Sequence, residues 1–479
     1  MINLFVMQTG TKRFHTALLA LLTACAGLPA TAQQANGQRP TNIILVVADD
    51  LGYGNLTCYN PGSKIPTPHI DSLARQGTRF TRFYAGNTVC APSRCALMTG
   101  YHMGHAYIRG NAREHLRPQD TTLAQRLQAR GYVTGMFGKW GLGQENDAGA
   151  PQLKGFDEFY GYLNQRHAHY YFTDHLFELK NRQLEQVRTD SQYSHGLIMD
   201  QALDFVRRHR QEPFFLYLPV TIPHAELLLP REDLQPFLDK DGNSKFSPEK
   251  PFVQKGDGYH SQAQPRAAFA AMISRLDRDM GRLMQALREL GLDSNTYVFF
   301  TSDNGPHKEG GADPVYFNSN GPLRGIKRDL YEGGIRVPMI AWAPGKVPAG
   351  RSSGEVWAFW DVLPTLCELT GAPSPGNIDG ISFLPAIRGK AQAQQHDHLF
   401  WQFNEGRLKQ ALLQGDWKLL RFKQKDKPEV LELYNIRRDM GEQHNLAAQY
   451  PERVQALKAL MRASVSPSAS PKFDWSELN

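Results

Sequence analysis

The sequence has little cysteine, no long block of like charge and no internal repeat. Five cysteines in 479 residues are too few for a disulfide scaffold. Basic residues exceed acidic ones by only seven, an excess too weak to indicate a nucleic-acid partner. Hydrophobic residues make up 41% and charged residues 21%, which excludes a disordered, collagenous or coiled-coil chain. The length fits about three domains, or equally one large α/β domain with a smaller appendage.

The first 32 residues have the pattern of an export signal. Lys12 and Arg13 precede a short apolar stretch, and Ala30-Thr31-Ala32 forms an A-x-A cleavage site. We therefore predict a signal peptide over residues 1–32 and a bacterial protein that is periplasmic or secreted. A competing pattern, Leu22-Thr23-Ala24-Cys25, resembles a lipobox and would attach a lipid anchor at Cys25. Beyond this stretch, no apolar run reaches transmembrane length.

Apolar β-rich runs alternate with amphipathic helical runs along most of the chain. Residues 42–48, NIILVVA, form a nearly continuous apolar run, as expected of a strand buried on both faces of a sheet. This alternation predicts an α/β fold with a large, mostly parallel sheet sandwiched by helices. The remaining predicted strands are 132–137, 213–220, 297–301 and 337–342, and the predicted helices are 67–75, 121–129, 194–210 and 267–290.

The sequence changes character near residue 384. Short runs at 399–403, 410–422 and 430–434 indicate antiparallel strands, and a helical pattern closes the chain at 451–463. We therefore predict a main α/β domain over residues 33–384 and a smaller C-terminal α+β subdomain over residues 385–479.

Polar side chains that can bind a cation follow two of the predicted strands. Asp49 and Asp50 come directly after the first strand, and Asp303 and Asn304 follow the strand at 297–301. The carboxyl ends of parallel strands meet at one rim of a sheet, where ligands bind in open α/β folds. Hard oxygen ligands favour Ca²⁺ or Mg²⁺ over zinc. Either pair alone is ordinary turn or cap chemistry, but two pairs at equivalent strand ends indicate a metal site.

The most specific motif is Cys90-Ala91-Pro92-Ser93-Arg94, followed by CALMTG. A residue in a turn that opens a helix is near free N–H groups, which favour an anion. From the residues alone, Cys90 is either a nucleophile activated by Arg94 or a buried thiol. The C-x-P-S-R motif with Thr99-Gly100 resembles the signature of type I sulfatases in the alkaline-phosphatase superfamily. The resemblance extends from NIILVVADDLGYG near residue 42 to ELYNIRRDMGEQHNLA near residue 447.

This resemblance implies a cofactor and a modification. In that family a separate generating enzyme oxidises the signature cysteine to Cα-formylglycine, so position 90 would carry a hydrated aldehyde as the nucleophile. The implied cation is Ca²⁺ in preference to Mg²⁺, and its ligands would be Asp49, Asp50, Asp303, Asn304 and the modified Cys90.

The resemblance also implies roles for basic side chains. Arg94, Lys139 and Lys327 would neutralise charge on the sulfuryl oxygens. His224, which follows another predicted strand, or Lys327 would protonate the leaving alcohol. Substrate would be bound by His224, Lys139 and Lys327. His307 fits either a further substrate contact or a turn residue bonded to the backbone, and Glu309 fits either a sugar subsite or a surface ion pair.

One departure from the family pattern lies at Gly141. The family motif G-K-W-H-L-G carries a histidine that helps to expel sulfate, whereas this chain reads GKWGLG over residues 138–143. Another base, or water, must then serve that step. The candidates are His105, His167 and His169, and we rank His169 first because its segment, YGYLNQRHAHYY, is typical of a pocket-lining loop.

Three functions fit this sequence. The first is an exported, Ca²⁺-dependent sulfatase that acts on a sulfated carbohydrate, with aryl sulfates as model substrates. The second is a phosphodiesterase or phosphonate-ester hydrolase of the same superfamily. Those sites often hold two metals, but the sequence offers no additional Asp/His ligand set. The third is a glycan-binding protein in which Cys90 is never oxidised, and the missing histidine at Gly141 gives this reading some support.

Overall fold

The computed structural model describes residues 40–478. The predicted signal peptide, its cleavage site and the lipobox cysteine Cys25 lie outside the described residues and stay predictions. Within residues 40–478, none of the helices combines the length and the apolar character needed to cross a membrane.

A ten-stranded sheet forms the centre of the molecule, in the order β10-β2-β9-β8-β1-β7-β3-β4-β5-β6, and four strands, β11-β12-β13-β14, form a second sheet. The strands are β1 (Asn42–Asp49), β2 (Thr78–Tyr84), β3 (Val133–Lys139), β4 (Glu158–Tyr162), β5 (His175–Lys180), β6 (Gln183–Arg188), β7 (Phe214–Pro223), β8 (Thr296–Ser302), β9 (Arg336–Trp342), β10 (Arg351–Ala358), β11 (Leu399–Glu405), β12 (Arg407–Gln414), β13 (Trp417–Lys423) and β14 (Val430–Asn435).

Helices pack on both faces of the large sheet. They are α1 (Pro68–Gln76), α2 (Cys90–Thr99), α3 (Leu123–Gln128), α4 (Ser194–Arg208), α5 (Arg231–Leu234), α6 (Pro265–Glu289), α7 (Glu332–Ile335), α8 (Val362–Thr370), α9 (Leu384–Ile387) and α10 (Pro451–Ala463). The sequence of strand β1 is apolar because alternate side chains of this strand pack in two different hydrophobic cores. Ile43 and Leu45 pack in the core that includes α2, α3 and α8, whereas Ile44 and Val46 pack in the core with α1, α4 and α6.

The predicted mostly parallel sheet is confirmed. Strands β8, β1, β7, β3 and β4 are consecutive parallel neighbours. The predicted strand at 337–342 is β9, which instead runs antiparallel to β8. A parallel return needs a long crossover, usually a full helix. The segment between β8 and β9 carries Asp303, Asn304 and Lys327 and contains one short α-helix, α7, in place of the full helix of such a crossover.

The smaller sheet forms where the sequence changes character. The run at 410–422, predicted as one strand, is the two strands β12 and β13. They are joined at Gly415-Asp416, where Gly415 has φ +60°, a left-handed conformation that suits glycine in a tight hairpin. Helix α10 covers one face of this sheet through Val454, Leu457 and Met461. From Pro40 onward the chain forms one compact unit, and the predicted boundaries at residues 32 and 384 stay predictions.

A buried ion-pair cluster connects the small sheet to the large one. Lys418 of β13 is fully buried, and its Nζ lies 2.9 Å from Glu332 Oε1 in α7 and 2.9 Å from Glu442 Oε1. The backbone N–H of Glu332 donates to Glu442 Oε2 at 2.7 Å. Because Glu332 follows the loop that carries Lys327, the small sheet supports the segment that reaches the candidate active site.

Candidate active site

Four of the five predicted cation ligands, all except Cys90, lie together at the carboxyl ends of β1 and β8. These strands are parallel neighbours that stay in register up to Ala48 opposite Ser302, so the residues that follow leave the sheet side by side. The backbone N–H of Asp50 donates to Asp303 Oδ1 at 3.1 Å, and Asn304 Nδ2 donates to Asp50 Oδ1 at 2.6 Å. The fourth ligand, Asp49, is the last residue of β1, and all four side chains are buried.

Three cationic side chains neutralise this carboxylate cluster. Lys139 Nζ, at the end of β3, lies 2.6 Å from Asp49 Oδ2. Lys327 Nζ lies 2.8 Å from Asp50 Oδ2. Arg94 Nη2, from α2, lies 2.8 Å from Asp303 Oδ2. Because every one of these groups is buried, the pairs are needed to hold the charges inside the protein.

The carboxylates differ in how well their charge is compensated. Burial alone would raise the pKa of Asp49, but the positive charges of Lys139 and its neighbours outweigh it and hold this pKa below the ordinary value of 3.8. In contrast, burial and the charge of Asp49 raise the pKa of Asp303 to about 6 despite Arg94. A raised carboxyl pKa marks a place where additional positive charge is favourable, as a bound divalent ion provides.

The donor atoms fit a hard divalent cation such as Ca²⁺. Asn304 Oδ1 is buried and finds no hydrogen-bond partner within residues 40–478, which is rare for a buried amide oxygen. In each carboxylate the lysine and arginine contacts go to Oδ2, whereas Oδ1 accepts only from a neutral donor. The oxygen atoms available to a cation therefore come from Asp49, Asp50, Asp303 and Asn304.

Cys90 faces this cluster from the first residue of α2. Its Sγ lies 3.4 Å from Asp49 Oδ1. Burial and the charge of Asp49 raise the pKa of the Cys90 thiol well above its ordinary value of 9.0. The unmodified thiol therefore stays protonated at neutral pH and is a poor nucleophile. Of the two alternatives that the sequence left open, the structure supports the buried thiol for the unmodified residue.

Two further residues of the motif fix the position of α2. Ser93 Oγ accepts from the backbone N–H of Gly86 at 3.0 Å and donates to the carbonyl oxygen of Asp303 at 2.5 Å. Arg94 Nη1 donates to the carbonyl oxygen of Lys139 at 2.6 Å, while its Nε and Nη2 donate to Asp303. All guanidinium nitrogens of Arg94 are thus engaged by the protein. The geometry makes it an anchor behind the cluster rather than a sulfuryl contact.

His224 lies between two carboxylates at the end of β7. Its Nε2 is 3.3 Å from Asp50 Oδ2 and 3.2 Å from Glu309 Oε2. Glu309 also lies 3.2 Å from Lys327 Nζ and accepts from the Tyr259 hydroxyl at 3.0 Å. Burial would raise the pKa of Glu309, but His224 and Lys327 outweigh burial and lower it. Glu309 is therefore an ionised part of the site and not a surface ion pair, a role that its place six residues after Asp303 only hinted at.

A cavity of about 750 Å³ opens beside this cluster. Lys139 and the carboxylates of Asp49, Asp50 and Asp303 do not line this cavity, whereas Lys327 and His224 do. The cavity is lined by Cys90, Ala91, Gly110, Asn111, Arg113, Glu114, His115, Gly141, Gln144, Asn164, Gln165, Arg166, His169, His224, Tyr259, Glu309, Lys327 and Arg328.

Comparison with protein families decides which chemistry this site serves. Residues 41–372 match the family model described as Sulfatase. The chain belongs to the sulfatase family. It is therefore a sulfuric ester hydrolase. Residues 326–466 also match the model described as N-sulphoglucosamine sulphohydrolase, C-terminal, which covers the small sheet of this sulfatase.

Known proteins and solved structures agree with this family. The dog N-acetylgalactosamine-6-sulfatase is 32% identical over 400 residues, covering 78% of this chain and 70% of that protein. Human arylsulfatase A is 32% identical, covering 96% of this chain and 93% of that protein. A crystal structure of Ps i-CgsB in complex with k-i-k-neocarrahexaose is 28% identical with a TM-score of 0.74, covering 89% of this chain and 93% of that chain.

The candidate histidines of this sulfatase have different surroundings. His169 lines the cavity, and its ring centroid lies 4.9 Å from that of His224. Burial, reinforced by the nearby charge of His224, lowers the pKa of His169 to about 2, so its ring is neutral. His167 bonds to Thr173 Oγ1 at 2.9 Å, His105 pairs with Asp379 at 2.8 Å, and neither lines the cavity.

His307 lies behind His224, with ring centroids 5.4 Å apart. Its Nε2 is 3.0 Å from the carbonyl oxygen of Pro223, and its Nδ1 accepts the backbone N–H of Glu309 at 3.1 Å. Both ring nitrogens are thus used by the backbone, and the residue does not line the cavity. For His307 the structure favours the turn residue over the substrate contact.

Proposed function

We propose that this sulfatase cleaves sulfate esters with a Cα-formylglycine made from Cys90 by a separate maturation enzyme, and with Ca²⁺ as its cation. The convergence of Cys90 with the oxygen atoms of Asp49, Asp50, Asp303 and Asn304 is the observation that carries the proposal. The hydrated aldehyde would supply an oxygen nucleophile, and Ca²⁺ would supply positive charge for the sulfate oxygens.

The remaining chemistry falls to side chains of the chain itself. Lys327 Nζ, fixed between Asp50 and Glu309, brings positive charge to the cavity wall, where the sulfate group would bind. Lys139 keeps Asp49 ionised from behind the cavity. His224 Nε2, or Lys327, would deliver a proton to the leaving oxygen of the alcohol.

We further propose a sulfated carbohydrate as the substrate. The related dog protein is named for a sulfated amino sugar, and the Ps i-CgsB structure holds a neocarrahexaose. The cavity of about 750 Å³ has room for a sugar ring, and its wall combines Tyr259 with amide side chains such as Asn111, a mixture that suits a polyhydroxylated ligand. The dog and human relatives described above are both sulfatases, so this comparison does not favour the phosphodiesterase or the glycan-binding alternative.

We also propose export to the periplasm or outside the cell, from the signal pattern over residues 1–32. Mass spectrometry of the N-terminus of the mature protein tests this proposal. A chain that begins at Gln33 indicates ordinary signal cleavage, whereas a lipid-modified Cys25 indicates a lipoprotein. An intact N-terminus in the cytoplasm would contradict both.

The decisive experiment combines peptide mass spectrometry with turnover. Protein produced together with a formylglycine-generating enzyme should carry an aldehyde at position 90 and hydrolyse an aryl sulfate much faster than the matching aryl phosphate. Cys90→Ala should abolish turnover. Cys95→Ala, which changes another buried cysteine of the same helix, should retain it. An unmodified thiol at position 90 in an active enzyme, or faster phosphate hydrolysis, would refute the proposal.

A further inference from the structure

The side chain of Gln165 fills the space beside Gly141. Backbone hydrogen bonds continue the pairing of β3 and β4 past the strand ends, from the N–H of Trp140 to Tyr162 at 2.9 Å and from the N–H of Gly141 to Leu163 at 3.0 Å. A Cβ atom at position 141 would lie only 2.2 Å from Gln165 Nε2. The Gln165 amide therefore occupies the volume that a side chain at position 141 would take.

This amide is held at the active site without a protein partner. Gln165 Nε2 is buried, yet no acceptor for it is found in the described part of the chain, which is unusual for a buried amide N–H. The neighbouring amide of Asn164 is paired, because its Oδ1 accepts the backbone N–H of His167 at 2.9 Å. Gln165 and Gly141 both line the cavity that contains Cys90 and Lys327.

We propose that Gln165 Nε2 donates a hydrogen bond to the sulfate group of the bound substrate and takes the place of the histidine missing at position 141. An amide N–H stabilises negative charge on oxygen without changing its protonation state. It neither accepts nor delivers a proton at neutral pH, so proton transfer stays with imidazole and ammonium groups such as His224 and Lys327. The proposal explains why this N–H has no acceptor in the protein, because its acceptor is an oxygen atom of the sulfate group of the bound substrate.

The proposal rests on the proposed function, since it assumes a sulfate group beside Cys90. The test therefore measures two quantities in the mature, Ca²⁺-loaded enzyme. These are kcat/KM for an aryl sulfate and the affinity for inorganic sulfate, determined by calorimetry. Sulfate binding examines the anion contact even if aryl sulfate turnover fails, whereas turnover by the unmodified sequence examines the proposed function by itself.

The variants are Gln165→Met, which keeps the volume and removes the amide, and Gln165→Glu, which replaces the donor by a negative charge. The control is Gln152→Ala, since Gln152 also has an unpartnered buried amide atom but does not line the cavity. Gln165→Met should lower kcat/KM by about 100-fold, at the low end for loss of one oxyanion donor. It should also weaken sulfate binding by about tenfold, with little change in Tm. Gln165→Glu should lower kcat/KM and the affinity for sulfate further than Gln165→Met does. The control should stay within about twofold.

Two results would overturn the assignment. One is a Gln165→Met enzyme with the kcat/KM and sulfate affinity of the unmodified sequence. The other is a Gln165→Glu enzyme that binds sulfate as well as Gln165→Met does, because a carboxylate facing the anion must repel it. If Gln165→Met does not fold, Gln165→Ala with the same two measurements provides the same test.

Discussion

Asn304 Nδ2 lies 2.6 Å from Asp50 Oδ1, although 254 residues separate the two in the chain. The contact exists because β1 and β8 are parallel neighbours whose carboxyl ends stop at the same level. It brings an amide whose own oxygen has no partner within residues 40–478 against the carboxylate of Asp50. This arrangement links the sheet topology directly to the candidate cation site.

Removal of Ca²⁺ should abolish turnover, because the proposed reaction needs its positive charge. The protein should stay folded, because Arg94, Lys139 and Lys327 already neutralise the carboxylates. Chelation followed by re-addition, monitored by aryl sulfate hydrolysis, checks the first part. Ca²⁺ at one hundred times its Kd should raise the free energy of unfolding by about 2.7 kcal/mol, seen as a higher Tm.

The Ca²⁺-dependent rise in Tm should be lost in Asp50→Asn. It should persist in Asp200→Asn, which changes an exposed aspartate paired with Arg282. Equal Tm values with and without Ca²⁺ in the unmodified sequence would contradict the assignment of this metal site.

Glu309→Gln should lower kcat/KM by roughly 10- to 100-fold, because Glu309 orients both His224 and Lys327 beside the cavity. Loss of the charge removes the ion pairs of Glu309 with His224, Lys327 and Arg328 but keeps the shape of the side chain. Glu405→Gln is a matched control, since Glu405 also pairs with Arg328 but does not line the cavity. Unchanged kinetics for Glu309→Gln would show that Lys327 and His224 keep their positions without it.

His169→Ala should reduce turnover by at least about tenfold because it removes a neutral ring that packs on His224 at the cavity wall, whereas His105→Ala and His167→Ala should have small effects. Only His169 lines the cavity and stacks on His224, and the other two rings are bonded elsewhere. Steady-state kinetics of the three variants check this ranking. Full turnover in His169→Ala, with a loss in either of the other two, would reverse it.

The buried cluster of Lys418 with Glu332 and Glu442 should make stability fall as the pH rises. Burial, together with the charge of Glu332, raises the pKa of Glu442 to about 7 despite Lys418. Between about pH 4.5 and 7 the folded protein then keeps a proton that the unfolded chain has released. The favourable contribution is present at low pH and is lost as the pH rises through 7.

Glu442→Gln should remove this dependence, which amounts to roughly 2–3 kcal/mol between pH 5 and pH 8 at about 1.4 kcal/mol per pKa unit. Denaturant unfolding of both proteins at pH 5 and pH 8 measures it. The difference in the free energy of unfolding between the variant and the unmodified sequence should move in favour of the variant at pH 8. A difference that is the same at both pH values would contradict the prediction.

The amino-acid sequence by itself determined those strands and helices whose burial follows a regular pattern along the chain. A run such as NIILVVA has to be buried on both faces, and alternating helices and strands have to form a mostly parallel sheet. Edge strands without an apolar run could not be predicted in this way. Strand β6, QLEQVR, is largely exposed and has no apolar run, so only its pairing with β5 makes it a strand.

The same division applies to the site. The motif at Cys90 and the polar pairs at the ends of β1 and β8 could be identified from the sequence because local rules place them at strand and helix ends. Only the tertiary structure decided that Glu309 is enclosed between His224 and Lys327, that Arg94 faces inward, and that Gln165 fills the space beside Gly141. Those facts depend on which side chains meet across distant segments and on how completely water is excluded, and no local pattern of residues encodes either.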